Sequence, residues 1–188
     1  FFKSLFYLLL TLLSISSSYS QNNYIRFEER GHVGIKLQNG RRVVEPTFES
    51  LGWSDGKFEV MNGLTGYRQN GLWGIITVSG EVRVPAKYRR LTGKGLGTIE
   101  AGMIQTNGKY KEGVINFSGK VIFPFDYEQV EIQNEKIIFG SEAEFGLANS
   151  DGTILLKPNW RSIKSLTPHL FLVENINRKK ALFDLNGY

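Results

Sequence analysis

The sequence predicts an all-β chain: an array of antiparallel β-hairpin repeats behind a signal-peptide helix. The repeats would stack as an open, curved β array or, alternatively, close as a small propeller-like arrangement. Three observations carry this. A glycine-to-glycine spacing recurs in register along the chain. Turn-forming residues arrive about every 8 to 12 positions. No long window places apolar residues at helical spacing.

Residues 1–20 come first and stand apart. Lys3 supplies a positive charge, an apolar run follows from Leu5 to Leu13, and Ser14 to Ser20 is small and polar. Basic, apolar, then small is the order of a secretory signal peptide, with Ser18-Tyr19-Ser20 offering small residues at the cleavage positions and cleavage before Gln21. A membrane-spanning anchor needs about 20 continuous apolar residues, and the serines after Leu13 interrupt the run. The repeat domain is therefore expected over 21–188.

Its register is set by glycines. Gly34 and Gly40, Gly74 and Gly80, Gly113 and Gly119, and Gly146 and Gly152 share one spacing, and Ala181 with Gly187 keeps it in a fifth copy. Downstream of each second glycine lie a proline (Pro46, Pro85, Pro124, Pro158), an aromatic (Phe48, Tyr88, Tyr127, Trp160) and an aliphatic residue (Leu51, Leu91, Val130, Ile163). Units begin near 31, 71, 110, 143 and 178, the last one truncated. Asn, Ser or Asp precedes each second glycine, the chemistry of a hairpin turn that needs positive φ. Each unit thus contains a hairpin. Its first strand is expected at 33–37, 72–77, 114–117, 145–149 and 180–184, and its second at 42–45, 82–84, 121–123 and 154–157. Proline should end the second strand, because it cannot donate to the ladder.

The aromatic and the aliphatic residue three positions later, such as Tyr88 and Leu91, suit a corner whose side chains plug the junction between units. The variable segment that follows is expected to carry two more strands, as at 58–61 and 66–69, 129–132 and 136–139, and 162–166 and 170–174. Asn70-Gly71 and Asn107-Gly108 supply further turns. A lone unit of this size cannot bury its apolar face, so neighbours must share a core. The unpaired edge at 180–184 leads us to expect that the natural chain continues past Tyr188.

The stretch from Gly71 to Tyr88, with its Trp73-Gly74 pair, resembles the WG-repeat (KWG repeat) family of bacterial proteins, and the resemblance covers residues 31–188. Val33, Glu112, Phe145 and Lys180 stand where the tryptophan would be in the other copies. The resemblance implies a β-rich repeat array, often exported, and it brings no catalytic residues with it.

Composition narrows the chemistry. The chain has 188 residues, 41% hydrophobic and 22% charged, a profile of folded proteins. With no cysteine there is no disulfide, thiolate metal site or cysteine nucleophile. His32 and His169 fall in separate units and have no metal-binding spacing, so each is expected to be an exposed loop residue. Gly93-Lys94-Gly95-Leu96-Gly97 lacks the Gly-Lys-Ser/Thr ending of a phosphate loop, and a calcium loop around Asn149 to Gly152 would have Leu147 at its first position and Pro158 at its twelfth, where acids are required. Asn116-Phe117-Ser118 matches a glycosylation acceptor, which matters only in a eukaryotic secretory route.

What remains are surfaces. Trp53, Tyr67, Tyr24 and Tyr110 are candidate half-exposed rings for stacking on a sugar or peptide. Arg83, Lys87, Arg89, Arg90 and Lys94 are candidates for contacting an anionic polymer or lipid headgroup. The expected function is a non-catalytic exported scaffold, secreted or periplasmic, that binds a protein or cell-envelope partner; the alternative is a carbohydrate-binding module. No cofactor, metal or nucleic-acid partner is expected, and contact with the membrane only through the export signal.

Overall fold

The computed structural model describes residues 23–142 and 144–186; the signal-peptide helix expected at 1–20 lies outside the described residues. The described chain is five antiparallel meanders in sequence order. Sheet 1 is β1 (Tyr24–Glu29), β2 (His32–Leu37) and β3 (Arg42–Phe48). Sheet 2 is β4 (Ser50–Leu51), β5 (Leu64–Gln69), β6 (Leu72–Thr77) and β7 (Val82–Tyr88). Sheet 3 is β8 (Arg90–Gly93), β9 (Thr98–Ile104), β10 (Tyr110–Asn116) and β11 (Val121–Tyr127). Sheet 4 is β12 (Gln129–Gln133), β13 (Lys136–Ser141), β14 (Glu144–Asn149) and β15 (Ile154–Trp160). Sheet 5 is β16 (Ser162–Ser165), β17 (Leu170–Glu174) and β18 (Lys180–Asp184).

Sequence repeat and sheet are out of phase. The glycine hairpin of each of the first four units forms the last two strands of one sheet, while the variable segment forms the first two of the next. Every sheet boundary is therefore crossed in the middle of a unit. The corner between sheets is where the aromatic and aliphatic residues plug the junction: Tyr88 and Leu91 are both buried in one cluster with Trp53, Ile75, Ile99 and Ile115.

Adjacent residues on a strand point to opposite faces, and here both faces are buried. Ile76 packs toward sheet 1 with Ile35, Val44 and Tyr67, while Ile75 packs toward sheet 3. Ile115 faces sheet 2, and Val114 faces sheet 4 with Phe123, Ile137 and Phe139. Ile138 and Leu147 continue toward Ile163, Phe171 and Val173 of sheet 5. Four cores thus join five sheets face to face, and among the described residues none of these cores joins sheet 5 to sheet 1.

Two expectations need correcting. Proline does not end the second strand: β3, β7, β11 and β15 run through it to the aromatic residue. Each is the outer edge strand of its sheet or of its hairpin, and register slips where the proline sits, as between the Trp73–Tyr88 and Ile75–Val84 pairs. A bulge on an edge strand needs no donor from the proline nitrogen and blunts the edge against foreign strands. Residues 58–61 are not a strand either. The 52–63 segment is a loop pinned by the Met61–Leu64 bridge, and Leu51 pairs with Tyr67 instead.

The two repeat glycines do different work. Gly80 sits at φ +94° and closes a turn in which its amide donates to Thr77 O and the Thr77 amide to Glu81 O, a three-residue turn with a left-handed glycine in place of a two-residue one. Gly74 has ordinary strand geometry, but a Cβ there would strike Val84 O and lie 2.6 Å from the Tyr67 ring. Tyr67 is its cross-strand partner, and Phe27 and Phe139 stand opposite Gly34 and Gly146 in the same way. The glycine makes room for a ring.

Candidate interaction rim

That arrangement disposes of most of the candidate rings. Trp53 is 1% exposed and Tyr67 2%. Neither is a half-exposed platform: Trp53 is a core residue between sheets 2 and 3, and Tyr67 covers Gly74 while its hydroxyl accepts the Ala86 amide at 3.0 Å, a donor freed by the bulge at Pro85. Tyr24 is half-buried against the core between sheets 1 and 2. Tyr110 is partly exposed, but its hydroxyl donates to Glu112 Oε1 at 2.8 Å. His169 is exposed in the turn between β16 and β17, as expected, whereas His32, also exposed, is not a loop residue but opens β2, where it pairs with Glu29.

The basic candidates also separate. Arg83 is exposed and pairs with Glu81, Lys87 lies over the Tyr88 ring, and Arg89 is exposed at the corner. Arg90 points the other way, into a buried ionic cluster. Its Nε and Nη2 donate to the two oxygens of Glu112 at 2.9 Å each, and its Nη1 donates to Glu100 Oε2 at 2.9 Å. Its Nη2 also donates to Val130 O at 3.1 Å. Lys94 lies 3.3 Å from Glu100 Oε1. Glu112 accepts the Val130 amide and Glu100 the Ile132 amide.

The charges balance, two carboxylates against two cations. Burial works against the Arg90 guanidinium, but Glu112 and Glu100 outweigh it and its pKa is raised. Burial, with the Glu112 hydrogen bond and charge behind it, pushes the Tyr110 phenol up to about 12. Arginine, lysine, phenol and amides hold the oxygens of Glu112 and Glu100, so both carboxylates are committed to this cluster. Among the described residues no group of three or more His, Cys, Asp or Glu is placed to hold a metal.

The cluster is a seam. β12 is the first strand of its sheet, with an unpaired backbone edge, and side chains of sheet 3 satisfy that edge. The same device recurs at the equivalent strands. Arg26 of sheet 1 donates to Leu51 O, Ser54 exchanges bonds with both backbone groups of Leu91, and the Ser165 amide reaches Gln133. Sequence reasoning missed Glu112 and Glu100. The available sign was a charge at the position that holds Val33, Trp73 or Phe145 elsewhere.

Of the large apolar side chains that the cores and seams leave exposed among the described residues, more lie at one end of the stack than at the other. In a four-strand meander the first and third turns lie at the same end, and the Val78 amide bonding to Gly63 O ties them together in sheet 2. Asn134 Nδ2 donating to Ser165 Oγ at 2.8 Å ties sheet 4 to sheet 5 there. The loops between first and second strands differ most in length at this rim, from the 52–63 segment to the two-residue turn Asn134-Glu135. Exposed Ile25, Val82, Leu96, Val121, Ile154 and Leu166 all lie at it, with Val82, Val121 and Ile154 at one repeat position. The opposite end carries Ile104, Tyr110 and Ile176.

The chain matches no protein-family model and no curated protein. Among solved structures it is similar to the WD40 β-propeller domain of Doa1, with 10% identity and a TM-score of 0.38 over 88% of this chain and 62% of that one. It is also similar to a eukaryotic initiation factor, with 11% identity and a TM-score of 0.40 over 89% and 62%. The chain spans about three fifths of the length of each.

Proposed function

We propose that this chain is a non-catalytic exported scaffold of the WG-repeat kind that binds a protein or cell-envelope partner through the turn-bearing rim. The observation that carries the reading is the concentration of exposed apolar side chains at the end where loop length varies: among the described residues six of the ten large ones lie there, three of them at one repeat position, against three at the opposite end and Leu182 on β18. In repeat proteins, variation of loops on one face over a constant core marks the binding face. The order of charge and hydropathy in residues 1–20 supports export. The carbohydrate alternative rests on stacking rings, and burial of Trp53 and Tyr67 removes two of them.

The test is cross-linking capture from the source organism's envelope fraction, comparing the unaltered chain with a Val82→Lys, Val121→Lys, Leu166→Lys triple variant and with an Ile104→Lys, Ile176→Lys control at the opposite end. A partner lost with the rim variant and retained with the control is the expected result. Equal capture by both, or binding to a polysaccharide panel that ignores the rim variant, would reject it.

A further inference from the structure

On that rim, between sheets 3 and 4, lies a recess of about 260 Å³. Ile122 and Ile132, both half-buried, supply apolar wall, and Leu96 stands beside them at 79% exposure. Leu96 is held at φ +46° between Gly95 and Gly97, which are themselves left-handed. A solvated leucine in a left-handed backbone is costly twice over, in exposure and in strain, which points to a use for that position. Three charged residues line the recess, one from each turn around it: Lys94, Glu135 and Asp151. Lys94 is committed to buried Glu100. Asp151 uses Oδ1 to accept the Thr153 amide, and Glu135 makes no ion pair among the described residues. The uncompensated charge is negative, over an apolar wall.

We infer that this recess receives a lysine or arginine side chain of the partner, its aliphatic stem lying on Ile122, Ile132 and Leu96 and its cationic head at the carboxylates of Glu135 and Asp151. Long basic side chains are built for such a place, an apolar stem with a charged tip. A purely apolar side chain would leave the two carboxylates facing it unmatched, and an acidic one would be repelled. The inference rests on the rim being the binding face and names what the rim selects.

The probe is a set of capped pentapeptides, Ala-Ala-X-Ala-Ala, with X lysine, arginine, norleucine or glutamate, followed through the methyl resonances of Leu96, Ile122 and Ile132. Lysine and arginine peptides should shift these methyls in a saturable way, and norleucine should bind roughly ten-fold more weakly, the effect of about 1.4 kcal/mol. Glu135→Gly is the decisive variant. It removes the carboxylate yet suits the left-handed turn at φ +62°, so it should fold at least as stably while weakening lysine binding about ten-fold. Shifts as large for norleucine as for lysine, undiminished binding in Glu135→Gly, or no localised shift at all would overturn the assignment. A recess that fails these tests while the Val82, Val121, Leu166 variant still loses its partner would leave the rim reading standing without this anchor.

Discussion

Replacing Arg90 by methionine should cost about 3 kcal/mol and should open the seam between sheets 3 and 4 before anything else. Glu100 is 1% exposed and Glu112 8%, and the guanidinium makes three hydrogen bonds to their oxygens and one to Val130 O. Removing one partner of a buried ion pair costs about 3 to 5 kcal/mol, because the remaining charge is stranded away from water. The lower end applies here: Lys94 still reaches Glu100, and Tyr110 and the Val130 amide still donate to Glu112. Sheet 4 offers an internal control, since the positions of Arg90, Glu100 and Glu112 are held there by Gln129, Ile138 and Phe145. The triple variant Arg90→Gln, Glu100→Ile, Glu112→Phe strands no buried charge, since Lys94 and the Tyr110 hydroxyl reach solvent. Beyond the donor to Val130 O that the single variant also loses, it gives up the acceptors of the Val130 and Ile132 amides, about 1 kcal/mol each. Urea unfolding gives the totals, and amide exchange at Val130 and Ile132 gives the place. A cost below about 1 kcal/mol for Arg90→Met, or a triple variant less stable than the single one, would refute the reading of the cluster as a charge-balanced seam.

The two repeat glycines should respond differently to alanine. Gly74→Ala drives a Cβ into the Val84 carbonyl and should cost about 3 kcal/mol or more, whereas Gly80→Ala meets only an ordinary contact with Val44 and should cost about 1 to 2 kcal/mol for its left-handed φ, both read by thermal unfolding. Tyr67→Phe keeps the ring over Gly74 but orphans the Ala86 amide, a loss of about 1 to 2 kcal/mol visible as faster exchange at Ala86 alone. Above pH 10 the folded chain holds the Tyr110 proton more tightly than the unfolded chain does. That stabilisation is complete below the ordinary tyrosine pKa and is lost as pH rises toward about 12. Stability should fall over that window, and the fall should be shallower in Tyr110→Phe.

Hairpins, turns and the shared core were legible in the sequence because each rests on local chemistry repeated four times over. Gly40, Gly80, Gly119 and Gly152 have positive φ, Asn70-Gly71 is a two-residue turn with both φ positive, and the plugs at Leu51, Leu91, Val130 and Ile163 are buried. The course of the strand through proline was not legible, because an edge strand and a strand end give proline the same freedom from donating. Trp53 and Tyr67 were misplaced for a related reason. Whether a ring in a variable segment covers a neighbouring glycine or faces water depends on cross-strand register, and only comparison of the copies exposes it: an aromatic stands seven residues before the glycine in Phe27 and Gly34, Tyr67 and Gly74, and Phe139 and Gly146. Arg90 was grouped with Arg83, Lys87 and Arg89 by its charge alone. Strand alternation would have turned it away from Arg89, and Glu112 in a tryptophan's place would have supplied its partner.

The offset between repeat and sheet bears on how stability and binding divide. Each interface is crossed by a chain corner, filled by an aromatic and an aliphatic residue, and closed by side chains that cap the first strand of the next sheet. Most of these parts stand clear of the rim loops, although the long 52–63 loop lends Trp53 to a core and Ser54 to the cap on Leu91, so loop length can change at the other turns with the cores intact. At the interface between sheets 3 and 4 a single residue, Lys94, belongs to both systems. It lines the recess on the rim and reaches Glu100 within the seam. A cation seated near Glu135 and Asp151 repels Lys94 toward Glu100 and so favours the closed seam, whereas an anion in the same place would draw Lys94 out and leave Glu100 to Arg90 alone. Exchange at the Ile132 amide, which Glu100 accepts, should therefore slow when the lysine peptide binds and be unaffected by it in Lys94→Met.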